Sequence, residues 1–277
     1  MKEIENVSLE MRWHIADKLS AERLPEVNQK VQPVHARNTF YVRYVKRGLD
    51  FLIALVVLIL TLPINLLIGI ITLFDVGRPI FFLQERSGMN EKPFNLIKFR
   101  NMRNTVDEHG ALLPADKRVT KWGRFVRKTS LDELLNFVSI LKGDMSIIGP
   151  RPLPVQYLSR YNARHRERLK VRPGLECPPL HAEVMRNWQD QFENDVWYVE
   201  NVSFMTDCKM IWRLIKFTFD RKNSTKRGQA GRSAFMGYSC DGVAICLDEV
   251  PKEMIVEAYQ SIYGEDASSD DLTAGVV

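Results

Sequence analysis

Hydrophobic and polar positions intermix along the first fifty residues, and then the pattern changes abruptly. Residues 51–74 read FLIALVVLILTLPINLLIGIITLF and contain no charged side chain. At about 1.5 Å per residue, such a helix matches the roughly 30 Å hydrocarbon core of a bilayer, so the segment is predicted to enter a membrane. Pro63 stands in the middle of the run, with Asn65 and Gly69 beyond it. A mid-helix proline removes a backbone hydrogen bond and clashes with the preceding turn, so a kink is expected. Arg43, Lys46 and Arg47 precede the run, while Arg78, Arg86, Lys92, Lys98, Arg100 and Arg103 follow it. Basic flanks favour the cytoplasmic side, so both ends ask for the same face. A helix that turns back at Pro63 meets that demand and a simple span does not. On the residues alone both forms stay open.

The remaining pattern predicts mostly short elements. Residues 80–84 and 94–100 have strand-like composition and suggest a small β-hairpin across Ser87-Gly88-Met89-Asn90. Residues 104–116 read as a polar loop. Residues 130–142 (SLDELLNFVSILK) place Leu131, Leu134, Leu135, Val138 and Leu141 on one face of a helix, closed by Gly143-Asp144. Residues 147–154 are too rich in proline for a helix and read as a rigid loop. A second helix is expected over 157–171, loaded with Arg160, Arg164, Arg166, Arg168 and Lys170. The 204–219 segment is amphipathic and edged by Trp212, Phe217 and Phe219, which suits a membrane interface; packing on a soluble core is the alternative. The ends read as appendages: residues 1–36 are charged and carry no secretory signal, with a helix over 8–19. Residues 221–232 read as a basic linker, and 233–277 as a tail that is acidic over 249–271, with a small folded appendage as the alternative.

Composition changes this picture little. A chain of 277 residues holds one good-sized core plus appendages, and 45% hydrophobic with 26% charged residues is ordinary for a globular protein. The net charge of +5 leans towards anionic partners, namely nucleic acid, phosphorylated metabolites or lipid headgroups, and chooses none of them. The four cysteines, Cys177, Cys208, Cys240 and Cys246, lie far apart without metal-binding spacing, so reduced thiols are expected.

The candidate chemistry sits at Ser130-Leu131-Asp132-Glu133. Its plain structural reading is a capping box, with Ser130 as N-cap and Glu133 at N3. Arg127 and Lys128 lie just upstream, Arg151 follows in a Gly-Pro-Arg-Pro turn, and Lys98 and Arg100 come from the hairpin. That much cation around an acid pair suits polyphosphate plus a divalent metal. A helix N-terminus would also keep Asp132 ionised and nucleophilic.

These residues carry a family likeness. Lys46-Arg47-Gly48-Leu49-Asp50 with the Pro63-broken helix, Arg78-Pro79-Ile80-Phe81-Phe82, Gln84-Glu85-Arg86-Ser87-Gly88 and Lys98-Phe99-Arg100-Asn101-Met102 resemble successive blocks of the monotopic phosphoglycosyl transferases, the bacterial sugar transferases. So do 127–134 (RKTSLDEL), 141–146 (LKGDMS), 149–152 (GPRP), 171–174 (VRPG) and 192–199 (FENDVWYV). The likeness runs from about Tyr44 to Lys216.

The resemblance implies an α+β, mainly helical fold: a Pro63-broken re-entrant membrane helix, a small β-hairpin and interfacial amphipathic helices around a cytosolic catalytic core. Its domains would be an N-terminal extension (1–40), the re-entrant helix (41–78), a catalytic domain (79–222) and a C-terminal linker and acidic tail (223–277). It implies transfer of a sugar-1-phosphate from a UDP-sugar to polyprenyl (undecaprenyl) phosphate, releasing UMP at the cytoplasmic face of the bacterial inner membrane. Asp132 would be the nucleophile, with Glu133 helping to hold Mg²⁺ beside it. Lys98, Arg127, Arg151 and Asp195 would bind substrate. Membrane lipids would be further partners, a homodimer or complexes with other glycosyltransferases are left open, and no nucleic acid is expected. One departure bears on the donor: where the family usually continues with an Ile-Thr-Gly-like turn, a nearby Gln and a Gly-Arg-Asn segment, this chain reads Leu175-Glu176-Cys177-Pro178-Pro179-Leu180, and only Arg186-Asn187-Trp188 is similar to the latter part. A membrane-anchored scaffold of the same fold, with turnover weakened, is the alternative.

Overall fold

The computed structural model of the protein describes residues 9–108, 110, 112–180, 185, 187–219 and 233–263. Residues 1–8, Arg186, the basic stretch 221–232 and the end of the acidic tail from 264 lie outside them. A long helix α1 (Leu9–Lys30) extends the helix expected over 8–19. A five-residue π turn, Tyr41–Val45, then leads into the apolar helix α2 (Lys46–Asp75). Helix α2 continues through Pro63 as one element. Near the proline, Thr61 Oγ1 donates to Val57 O (2.7 Å) and Asn65 Nδ2 donates to Thr61 Oγ1 (3.1 Å), so polar side chains bond within the helix where a backbone donor is missing.

The buried positions of α2, Lys46, Asp50, Ala54, Ile68 and Thr72, with half-buried Thr61 and Asn65 between them, recur at helical spacing and form one stripe against the protein. The opposite face, including Leu52, Val56, Ile59, Leu60, Leu66 and Leu67, is exposed and apolar. By length and composition, α2 is the one helix among the described residues that could cross a membrane.

Both ends of α2 are tied to the same body. At the start, Lys46 Nζ and Tyr41 OH donate to Asp207 Oδ2 (2.7 and 2.5 Å) and Tyr198 OH donates to Oδ1 (2.7 Å), which solvates a buried ion pair. The Arg47 fork donates to the Ile140 and Leu141 carbonyls (2.6 and 2.8 Å), and Asp50 Oδ1 accepts the Ile147 N–H (3.1 Å). At the other end Trp122 Nε1 donates to Thr72 Oγ1 (3.3 Å), and Arg100 and Arg103 donate to the Val76 and Asp75 carbonyls (2.6 and 2.9 Å).

The expected hairpin forms from β1 (Phe81–Ser87) and β2 (Pro93–Phe99), antiparallel from Phe81↔Phe99 to Ser87↔Pro93. Short helices α3 (Ala115–Arg118) and α4 (Lys121–Lys128) follow. The 130–142 helix differs from expectation. Leu131–Leu135 is a 3₁₀ turn, and only Asn136–Lys142 (α5) is α-helical. Ser130 is left-handed (φ 56°) and its side chain makes no cap bond, so there is no capping box. Beyond Gly143 a small parallel pair, β3 (Ser146–Ile148) and β4 (Gly174–Glu176), runs through the core.

The single helix expected over 157–171 is three pieces: a 3₁₀ turn Val155–Arg160, a helix α6 (Ala163–Arg166) and a 3₁₀ turn Glu167–Lys170. Tyr161 is extended, and Asn162 starts a new helix by accepting the His165 N–H (2.7 Å), a local bond that outcompetes continuation. Helices α7 (Trp188–Asn201) and α8 (Phe204–Phe219) complete the core. The C-terminal part is folded where a tail was the first expectation: β5 (Phe235–Tyr238), β6 (Ala244–Cys246) and α9 (Lys252–Tyr263) pack on α1 around Ile15, Leu19, Met236, Leu247 and Ile255.

Candidate active site

The acids stand on the 3₁₀ turn, and three elements bring cations to them. Lys98 comes from the end of β2, Arg127 from α4 and Arg151 from the Gly-Pro-Arg-Pro loop after β3. Glu133 Oε1 accepts from Arg151 Nη2 at 2.9 Å and from Lys98 Nζ at 3.4 Å. Burial alone would push the Glu133 carboxyl up, but Arg151 and Lys98 outweigh it and hold it below the usual carboxylate range.

Asp132 behaves in the opposite way. It is 7% exposed, and burial pushes its carboxyl up, with the neighbouring Glu133 charge adding to the effect. Lys98 and Arg127 pull it down without reversing the shift. The α-helix start expected to hold Asp132 ionised is absent: the residue lies on a 3₁₀ turn, and burial raises its carboxyl.

Arg151 is aimed by two close backbone approaches. A Cβ on Gly149 would lie 2.5 Å from Arg172 O, and one on Gly174 would lie 2.2 Å from Gly149 N, so only glycine lets the two loops touch. The contact lays β3 beside β4 and brings Glu176 to Arg151, at 3.7 Å between Oε2 and Nη1. Arg127 is placed similarly, because Gly123 seats α4 on the Asn101 carbonyl with room for no side chain.

Asp195 lies away from the open site. It is 1% exposed and receives Arg168 Nε and Nη2 at 2.9 and 2.7 Å. Arg168 Nη2 also donates to Arg151 O (2.8 Å), so Arg168 links Asp195 to the site. Lys98, Arg127, Arg151 and the acid pair are brought together; Asp195 stands behind them, and Pro63 lies in the apolar helix. Two groups have no role in the sequence reading. Arg86 braces the loop by donating to Pro152 O (3.2 Å), and Glu176 reaches Arg151; the first sits in a quoted block and the second in the departing segment.

The other arginines of the 157–171 stretch are used internally. Arg164 pairs with Glu193 (2.8 Å), Arg166 with Glu91 (2.6 Å), and Arg160 Nη1 donates to Phe235 O (2.7 Å). Arg160, Arg164 and Arg168 brace the interior, while Arg166 pairs with Glu91 at the exposed surface.

Two adjacent acids with Lys98, Arg127 and Arg151 drawn from three elements around them form an arrangement chemically suited to phosphorylated groups. The profile of the bacterial sugar transferase family matches residues 41–221. The chain belongs to that family and is an enzyme of the sugar-phosphate transferase class. It is 41% identical over 167 residues to an uncharacterized sugar transferase, EpsL, of Bacillus subtilis, covering 60% of this chain and 83% of that protein. It is 32% identical over 182 residues to a UDP-N-acetylgalactosamine-undecaprenyl-phosphate N-acetylgalactosaminephosphotransferase of Aeromonas hydrophila, covering 62% of this chain and 43% of that one. A UDP-glucose:undecaprenyl-phosphate glucose-1-phosphate transferase of Escherichia coli is 33% identical over 186 residues, with 61% of this chain and 39% of that protein covered. The chain thus spans less than half the length of the latter two.

Proposed function

We propose that this protein moves a sugar-1-phosphate from a UDP-sugar to polyprenyl (undecaprenyl) phosphate, as the first membrane step of glycoconjugate assembly at the cytoplasmic face. The observation that carries this reading is the gathering of cations from three elements around the acid pair: Glu133 accepts from Arg151 and Lys98 at 2.9 and 3.4 Å, and Asp132 is buried beside it with Lys98 and Arg127 acting on it. In the first step an Asp132 carboxylate oxygen attacks the phosphorus bearing the sugar. The bond from that phosphorus to the bridging oxygen breaks, UMP leaves with the electron pair, and the sugar phosphate is left on Asp132. In the second step a polyprenyl phosphate oxygen attacks the same phosphorus and the aspartyl–phosphorus bond breaks, restoring the carboxylate. Arg151, Lys98 and Arg127 offset charge on the transferring phosphates, and Arg151 keeps half its side chain open to them.

A divalent cation fits the donor set. Mg²⁺ is ordinarily held by one or two carboxylates together with substrate phosphates, and Asp132 and Glu133 are such carboxylates; no cluster of three or more ligating side chains closes a cage among the described residues. When bound, Mg²⁺ supplies positive charge against the diphosphate. Burial is what chiefly raises the Asp132 carboxyl, and a cation beside it would favour the ionised form.

The same reading makes α2 a re-entrant helix. Its two ends are bound to one body and its flanks are basic on both sides, whereas a span would carry one end across the bilayer.

The purified protein with Mg²⁺, polyprenyl phosphate and a panel of UDP-sugars is expected to release UMP, and Asp132→Asn to remove that release. A wild type silent with every donor, or an Asp132→Asn variant with full activity, defeats the proposal.

A further inference from the structure

Outside residues 41–221, α1 packs with β5, β6 and α9 into one module, and its seam with the family region leads to Arg151. Tyr238 OH accepts the Asn162 N–H (3.1 Å) and lies 2.9 Å from His165 Nδ1, while His165 Nε2 lies 3.0 Å from Glu193 Oε1. These partners assign a neutral imidazole with its proton on Nε2: the hydroxyl donates to Nδ1 and Nε2–H donates to the carboxylate. Alongside, the Phe235 ring stands edge-on to Phe192 at 4.9 Å and stacks on Tyr161 at 6.0 Å.

Those same two rings flank the Arg168 guanidinium, at 5.6 Å from Phe192 and 5.8 Å from Tyr161. Tyr161 OH also accepts from Arg168 Nη1 (3.3 Å). Arg168 is the largest fully buried side chain among the described residues, and its Nε and Nη2 donors go to Asp195 and to the Arg151 carbonyl. A planar fork with several fixed acceptors has one good orientation, and a buried donor turned away from its acceptor costs its full desolvation. Close-packed aromatic rings transmit a displacement instead of absorbing it.

We propose that the module built from the two terminal segments is a positioning element of the active site: Tyr238 and Phe235 fix the aromatic and histidine layer that orients Arg168, and Arg168 holds the Arg151 backbone in place. The inference rests on the proposed transferase reading for its kinetic arm, but not for its structural one. The test uses the full chain carrying Tyr238→Phe, which keeps the ring in the seam and deletes only the hydroxyl. Amide hydrogen exchange at Gly149, Arg151 and Leu153 is expected to speed up, and the KM for the UDP-sugar to rise about three- to tenfold. In an Arg151→Lys background the same change should leave KM where Arg151→Lys puts it, because the side chain whose placement the seam sets has already been replaced. A seam that only stabilises would lower the melting temperature while leaving exchange at 149–153 and donor KM at wild-type values, and that result overturns the proposal. Should Tyr238→Phe fail to fold, Arg168→Lys is read in the same way, since it keeps a buried cation beside Asp195 and loses the fork to the Arg151 carbonyl. If wild type releases no UMP, the exchange measurement still decides between positioning and stability alone.

Discussion

Asp132 and Glu133 are neighbours in sequence, yet the fold gives them opposite electrostatic conditions. Glu133 is compensated by Lys98 and Arg151, and Asp132 is desolvated with too little positive charge near it. The consequence for stability has a definite sign. A carboxyl raised on folding favours the protonated form, so its contribution is fully present below the unfolded value and is lost as pH rises through the raised one. At neutral pH the ionised Asp132 therefore costs stability, and Asp132→Asn is expected to raise the melting temperature by roughly 2–4 °C, on the order of 1 kcal/mol, while removing turnover. Thermal melts of the two proteins at pH 7 check this; a lower melting temperature for the variant would contradict it. The acid pair and its cations were legible in the sequence because charged residues cluster there. Their unequal burial was not, since that depends on how the 3₁₀ turn sits under β2 and the 149–152 loop.

At the scale of elements, glycine contacts set the site. Gly149→Ala would drive a methyl group into Arg172 O across the β3–β4 pair. Overpacking of this kind costs about 1–3 kcal/mol, and the change should also weaken donor binding by displacing Arg151. Denaturant melts and donor KM measure the two effects. The hairpin, α8 and the apolar helix could be read from composition and periodicity. The 157–171 stretch could not, because Asn162 bonds locally to the His165 N–H and interrupts a pattern that looks helical. Glu193, on α7, ties that stretch in place, and His165 and Arg164 hold its carboxyl down to about 2 against the upward push of burial. A depressed carboxyl stabilises above its unfolded value, near 4.3, and the contribution is lost as pH falls towards about 2. Glu193→Gln is accordingly expected to flatten the dependence of melting temperature on pH across that window. Equal slopes for variant and wild type would contradict the assignment.

Across the whole molecule, both ends of α2 are bound to one body, and the N- and C-terminal segments close on each other beside it. The apolar run was evident from sequence; the pairing of α1 with β5, β6 and α9 was not, because it joins residues more than two hundred positions apart through ordinary apolar side chains. A re-entrant α2 predicts that single cysteines placed just before Phe51 and just after Phe74 react with an impermeant reagent from the same side. The background for that labelling must lack the exposed native Cys208 and Cys240. Labelling from opposite sides would contradict the re-entrant form and leave the site chemistry untouched.

The central claim is that Asp132 carries the sugar phosphate between donor and lipid. Incubating the protein with Mg²⁺ and a turned-over UDP-sugar, without polyprenyl phosphate, and analysing its peptides by mass spectrometry tests this most directly. A phosphosugar mass is expected on the peptide containing Asp132, discharged when polyprenyl phosphate is added. Release of UMP with that peptide unmodified, or modification at another residue, would contradict it.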